Sequence, residues 1–122
     1  MAEKVNIAQE FARLDENWAP KIAAELNGQF VKLVKFEGEY VWHQHEHEDE
    51  LFLVTEGEIE IHFRDRVVAL REGEFLVVPR GVEHKPVAKR QASVILFEPA
   101  TTRNTGNVDH EYTIEPENLQ RI

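Results

Sequence analysis

The chain predicts an all-β fold, a sandwich or barrel of short strands. Three observations carry that reading. Apolar and polar residues alternate, most clearly where Ile59, Ile61 and Phe63 interleave with Glu58, Glu60, His62 and Arg64. That period of two marks a strand with one buried and one wet face. Turn signals recur at short intervals, at Asn27-Gly28, Glu37-Gly38, Glu56-Gly57, Asp65-Arg66, Gly73 and Pro79-Arg80-Gly81, as expected for a sheet protein of many strands. No helical pattern alternates with these runs, as a parallel sheet would require.

The elements follow in order. From Asn6 to Asn17 the pattern predicts a short helix on the outside of the domain. Asn6 is its cap, Gln9 sits at the capping-box position, and Ile7, Phe11 and Leu14 form one apolar stripe. Trp18 and Pro20 end it. Strands are then predicted at 22–26, 29–36, 40–45, 51–55, 58–64, 67–70, 75–78, 82–87 and 91–98. The remainder, 99–122, is polar and predicts an irregular arm along the surface, with Tyr112 and Ile114 as anchors. The 122 residues fit one domain, with its core at 29–98, a helical segment at 1–20 and the arm at 99–122.

Composition excludes several classes of function. There is no cysteine, which removes disulfides, thiolate metal sites and cysteine nucleophiles. Acidic residues outnumber basic ones 23 to 14, for a formal charge of −9, which argues against a nucleic-acid partner and against anionic lipid. No apolar run reaches membrane-spanning length, and the first residues lack the pattern of a secretory signal. The expected location is cytoplasmic.

Chemistry concentrates in two segments. His43 and His45 are two apart, so on a strand they project from one face. Glu50 lies beyond the polar run Glu46–Asp49; a turn there lets it point back at the same centre from the next strand. His84 arrives from a third strand after Pro79-Arg80-Gly81. Three imidazoles and one carboxylate suit Fe(II), Mn(II), Ni(II), Co(II) or Zn(II) and can leave coordination positions open. His47, His62 and His110 read as surface histidines.

These segments resemble the cupins. The first cupin motif, Gly-x5-His-x-His-x3,4-Glu-x6-Gly, is matched by His43, His45, Glu50 and Gly57; the second, Gly-x5-Pro-x-Gly-x2-His-x3-Asn, by Gly73, Pro79, Gly81 and His84. Gly38 stands one residue too close to His43, and Ala88 occupies the usual Asn position. A register pairing His45 with His47 leaves only two residues before Glu50, short for the family. The resemblance spans about residues 29–98. It implies a small single-domain cupin of the sugar-isomerase-like kind, folded as a double-stranded β-helix (jelly roll), with metal ligands His43, His45, Glu50 and His84 and a homodimer formed through an outer sheet.

Strand parity places Phe52 and Val54 inside with Glu50, Val41 beside His43 and Val82 beside His84. That gives a largely apolar pocket for a small-molecule ligand with a metal at one end. A metal-dependent enzyme is the leading reading, with dioxygenase-type or Lewis-acid chemistry on a small organic molecule. An isomerase would need a base, and Glu39 is the only inward carboxylate that parity offers near the histidines. A ligand-binding module without turnover and a closed structural metal are the alternatives. Leu51, Leu53 and Trp42 face outward, to be covered by the helix or by a second subunit.

Overall fold

The computed structural model describes residues 2–122; Met1, which opens the predicted amino-terminal segment, lies outside them. Seven strands follow one short helix: β1 (Lys21–Leu26), β2 (Gln29–Glu39), β3 (Glu50–Glu56), β4 (Glu58–Phe63), β5 (Val67–Arg71), β6 (Phe75–Val78) and β7 (His84–Pro99). Every pairing between them is antiparallel. The spatial order is β1-β2-β7-β3-β6, and β4 joins β5 to β7. β7 is the spine. It pairs with β2 from Val87 to Pro99, its first residues pair with β4 and its last with β3. One long strand thus passes from one layer to the other and closes the predicted jelly roll.

Several predicted boundaries move. The expected strands at 82–87 and 91–98 are one strand. Lys89, Arg90 and Gln91 are exposed, and they loop out where the register with β2 shifts between Phe36 and Gly38. A bulge looks like a turn in sequence, because both break the alternation. Glu37-Gly38 is likewise no turn but the matching irregularity inside β2, with Gly38 at φ +84°. The expected strand at 40–45 reduces to a single bridge between His43 and His84. Its ladder is interrupted because Asn107 from the arm takes both backbone groups of Gln44, at 2.9 and 3.1 Å.

The helix α1 (Ile7–Ala12) is shorter than predicted. Asn6 caps it as expected, its side-chain oxygen accepting from the Gln9 N–H at 3.0 Å. Phe11 is buried, but Ile7 is 41% exposed, so the stripe has one strong anchor. Trp18 does not merely end the helix. Its φ is +61°, an uncommon value for a bulky residue. Its backbone N–H donates to the Lys35 carbonyl and its indole N–H to the Glu37 carbonyl. Its ring stacks on Phe36 and Tyr40 at 4.5 and 4.6 Å between centroids.

Inside the barrel lie Val34, Phe36, Phe52, Val54, Ile59, Ile61, Leu70, Val78, Val94 and Leu96. Burying each of the larger ones contributes roughly 1.5–3 kcal/mol. The outer face of β3 is different. Leu51 and Leu53 pair with Val77 and Phe75 of β6 and with Phe97 and Ile95 of β7, and Phe75 remains 63% exposed. The helix lies against β2 instead, so it does not cover Leu51 and Leu53. Trp42 is covered by cations, with the Arg64 guanidinium 3.7 Å above its ring and the Lys85 ammonium 5.6 Å away.

Candidate metal centre

Two strand ends and one irregular segment bring His43, His45, Glu50 and His84 together. Each offers a ligand atom, and those atoms all lie within 4.8 Å of one another. All four side chains are buried. The backbones of His43 and His84 exchange both hydrogen bonds, at 3.0 and 2.9 Å, so two of the imidazoles sit directly opposite each other. The Gly81 N–H donates to the His45 carbonyl at 2.8 Å. Arg80 grips Asp49 through its backbone N–H and its guanidinium. The turn ahead of His84 is thus tied to the loop ahead of Glu50.

The ring orientations are set locally. The Nδ1 atoms of His43 and His84 lie 2.9 Å from the carbonyls of Val41 and Val82. With Nδ1–H donating there, each Nε2 is left as a lone-pair donor toward the centre. Glu50 Oε1 faces His45 Nε2 at 3.3 Å and His84 Nε2 at 3.4 Å. Yet His45 Nδ1 and Nε2, Glu50 Oε1 and His84 Nε2 are buried with no hydrogen-bond partner. Buried polar atoms are normally paired. One nitrogen of His45, Glu50 Oε1 and His84 Nε2 face one another within ligand distance, and such unpaired atoms fit a bound cation.

Burial pushes the His43 imidazole down to about 3, and neighbouring His84 and His45 add to the shift against Glu50. For His45 burial also works downward, but the Glu50 carboxylate outweighs it and the net direction is up. Burial works upward on Glu50, but contact with Glu98 and with the facing histidines holds it well below the usual carboxylate range. Burial and the nearby Glu50 push Glu98 well above that range. Tyr40 is raised by burial, so it stays a neutral phenol.

A cavity of about 20 Å³ adjoins the cluster on the side of His43 and Glu50. Its other walls are Trp18, Pro20, Val34, Phe36, Tyr40, Phe52, Pro86, Leu96 and Asn104. The expected apolar pocket is present only as this small space, with His43 and Glu50 at one end. Phe52 and Val54 do face inward. Val82 does not: it is 36% exposed, because 79–83 form a turn and strand parity from His84 does not reach back through it.

The carboxy-terminal arm does more than run along the surface. Thr102, Asn104 and Thr105 are buried. Asn104 reaches the cavity, and Tyr112, a predicted anchor, stacks over Tyr40 at 5.8 Å. Gly106 lies so close to Gln44 that an added Cβ would stand 2.1 Å from its carbonyl oxygen and 3.1 Å from the His43 ring. The expected surface histidines are as read: His47 and His110 are exposed, and His62 is half-buried beside Glu60.

Two buried charged residues were not singled out from the sequence. Lys32 donates to Glu98 Oε1 at 2.7 Å, with both side chains essentially inaccessible. Their parity was the available signal, since Lys32 shares the face of Phe30, Val34 and Phe36, and Glu98 that of Val94 and Leu96. Glu98 also corrects the expectation that Glu39 is the only inward carboxylate near the cluster. Glu39 is exposed and paired with Lys85.

A jelly-roll barrel with three inward histidines and a glutamate at one end defines the cupin class. Residues 30–100 match the family model described as a cupin domain, and the chain belongs to that family. It is similar to the crystal structure of a cupin-2 domain protein from Shewanella frigidimarina, at 45% identity and TM-score 0.77, covering 78% of this chain and 93% of that one. Protein NMB1881 from Neisseria meningitidis is 36% identical, TM-score 0.74, over 80% of this chain and 99% of its own. The uncharacterized protein YdbB of Bacillus subtilis is 33% identical over 109 residues, 80% of this chain and 96% of its own. No helix among the described residues is long and apolar enough to cross a membrane.

Proposed function

We propose that the protein binds one divalent transition metal through His43, His45, Glu50 and His84 and acts on a small organic molecule beside it. The observation that carries this reading is the cavity on the His43–Glu50 side of the cluster. A purely structural metal needs four closed ligands and no adjoining space. Here an aromatic-walled space touches two of the four ligands, so an incoming group can share the same ion.

Such a metal would supply either dioxygen activation, if redox-active, or polarisation of a carbonyl, if a Lewis acid. The chain's own residues supply the rest. Val41 and Val82 carbonyls hold two imidazoles in the tautomer that presents Nε2. Trp18, Tyr40 and Phe36 exclude water and favour a flat, apolar body. The Asn104 side chain is pinned by the Tyr112 carbonyl and the Ile114 N–H, so its use there is positional. One carboxylate against a divalent ion leaves net positive charge, which favours an enolate, carboxylate or diketone oxygen.

A cavity of about 20 Å³ has room for roughly one water. An organic ligand therefore requires the arm from Asn104 to Tyr112 to shift. The test is metal analysis of the purified protein, followed by oxygen uptake with iron loaded and a screen of small enolisable acids. Iron with substrate-dependent uptake supports an oxygenase. Isomerised product without uptake supports Lewis-acid chemistry. Tight metal with neither, and a copurifying ligand, favours the binding module; zinc without exchangeable water favours a structural ion.

The chain is read as one cytoplasmic domain that forms a homodimer, with no nucleic-acid or membrane partner. The band of Leu51, Leu53, Phe75 and Val77 supports the dimer, being an uncharged apolar strip on a sheet face. Sedimentation of Phe75→Lys should give a monomer where the parent gives a dimer.

A further inference from the structure

Lys32, Glu98 and Glu50 form a row across three neighbouring strands. In the register of β3 with β7, Leu51 faces Phe97 and Phe52 faces Leu96. One step further, Glu50 stands opposite Glu98. On the other side of β7, Phe30 faces Glu98 and Lys32 faces Leu96, which sets Lys32 diagonally across from Glu98. All three side chains point inward, at 0% exposure for Lys32, 1% for Glu98 and 3% for Glu50.

Like charges opposite each other on adjacent strands are destabilising, and an uncompensated charge in the interior is far more so. The arrangement persists because the Lys32 ammonium closes one side of Glu98 at 2.7 Å. Glu98 Oε2 has no hydrogen-bond donor of its own; the Glu98 carboxyl lies in contact with that of Glu50. Glu50 Oε1 in turn faces two imidazoles. The row is therefore continuous from an ammonium, through two carboxyls, to the ligand cluster. Among the described residues it is the one buried pair of a lysine or arginine with a carboxylate; the other buried contacts of this kind are those of Glu50 with His45 and His84.

We propose that Lys32 and Glu98 are positioning residues for the metal centre, holding the Glu50 carboxylate in its ligating orientation from behind. This rests on the reading of Glu50 as a metal ligand. A buried ion pair is a weak source of stability: replacing both partners by apolar residues of similar volume is often neutral or stabilising. Partners that orient a metal ligand act elsewhere, and their loss lowers metal affinity by about 10–100-fold. The two roles separate cleanly.

The experiment uses cobalt(II), titrated by calorimetry into metal-free parent protein, Lys32→Met/Glu98→Met and Glu98→Gln, with His84→Ala as the reference for a broken site. Thermal unfolding of the metal-free proteins is measured alongside. The double variant should unfold within a few degrees of the parent or above it, while its cobalt affinity falls about 10–100-fold. Glu98→Gln keeps the shape and a hydrogen-bonding amide, and serves if the double variant fails to fold. Beside a bound cation it cannot ionise to balance the Lys32 charge, so its affinity should fall as well. Affinities within about twofold of the parent in the folded variants, with His84→Ala binding nothing, would overturn the positioning role and leave the metal site standing. A parent that binds no cobalt would overturn the site itself, and the positioning role with it.

Discussion

The two ends of the barrel interior are built from the same strands with opposite chemistry. β3 contributes Val54 to one end and Glu50 to the other, with Phe52 between them against the cavity. β7 contributes Val94 to one and His84 and Glu98 to the other, with Leu96 between them. At the apolar end every buried group gains by leaving water. At the polar end five buried nitrogen and oxygen atoms of His45, Glu50, His84 and Glu98 lack partners, and three ionisable residues stand in a row. Inward parity therefore fixes where a side chain goes but not what it contributes. One end supplies stability and the other uses it.

That contrast breaks most sharply at His84. Replacing it by Ala removes the imidazole opposite His43, and metal content of the purified protein should drop from about one equivalent to near zero. Elemental analysis checks it. At the apolar end Ile61→Ala should do the reverse. Ile61 is fully buried, and its truncation is expected to cost about 2–5 kcal/mol in denaturant unfolding, with metal stoichiometry of the folded fraction unchanged.

The arm sharpens the comparison because at Gly106 it packs directly against the polar end. A methyl at Gly106 has no space against the Gln44 carbonyl and the His43 ring. Gly106→Ala should therefore displace the arm and weaken metal binding several-fold, more than it lowers the unfolding midpoint.

Acid should also act on the polar end first. Burial holds the folded His43 imidazole down to about 3, against about 6.5 for a free one. The unfolded chain then binds more protons between those values, so the stability contributed by neutral His43 is present above 6.5 and lost as pH falls toward 3. His45, raised by Glu50, opposes this: its contribution is full below its unfolded value and is lost as pH rises through the folded one. Thermal melts of metal-free protein should fall on the acid side, below about pH 6. The Ile61→Ala variant should follow the same slope from a lower start.

The sequence made the strands and the four clustered residues legible for one physical reason: both rest on short-range rules. Alternation marks β4, Asn27-Gly28 marks the hairpin between β1 and β2, and a spacing of two brings His43 and His45 to one side. What it concealed depends on long-range contacts. Gln44 loses its ladder partner to Asn107, sixty-three positions away, so the strand expected there does not form. Ala88 to Arg90 read as a gap between two strands because the pairing of β2 across the bulge lies far off in the chain. Thr102 and Asn104 are polar by composition and are buried only because the barrel mouth receives them. Lys32 and Glu98 were visible by parity, but a charge inside a strand pattern is readily taken for a surface residue until its partner is known.

The most direct test is the anomalous difference density of a crystal of the cobalt-loaded protein, recorded at the cobalt edge. The account predicts one strong peak per chain among His43, His45, Glu50 and His84, with the three histidine nitrogens and a Glu50 oxygen about 2.0–2.2 Å from it. A peak at the exposed His47 or the half-buried His62 instead, with the four buried side chains unchanged and empty between them, would contradict it.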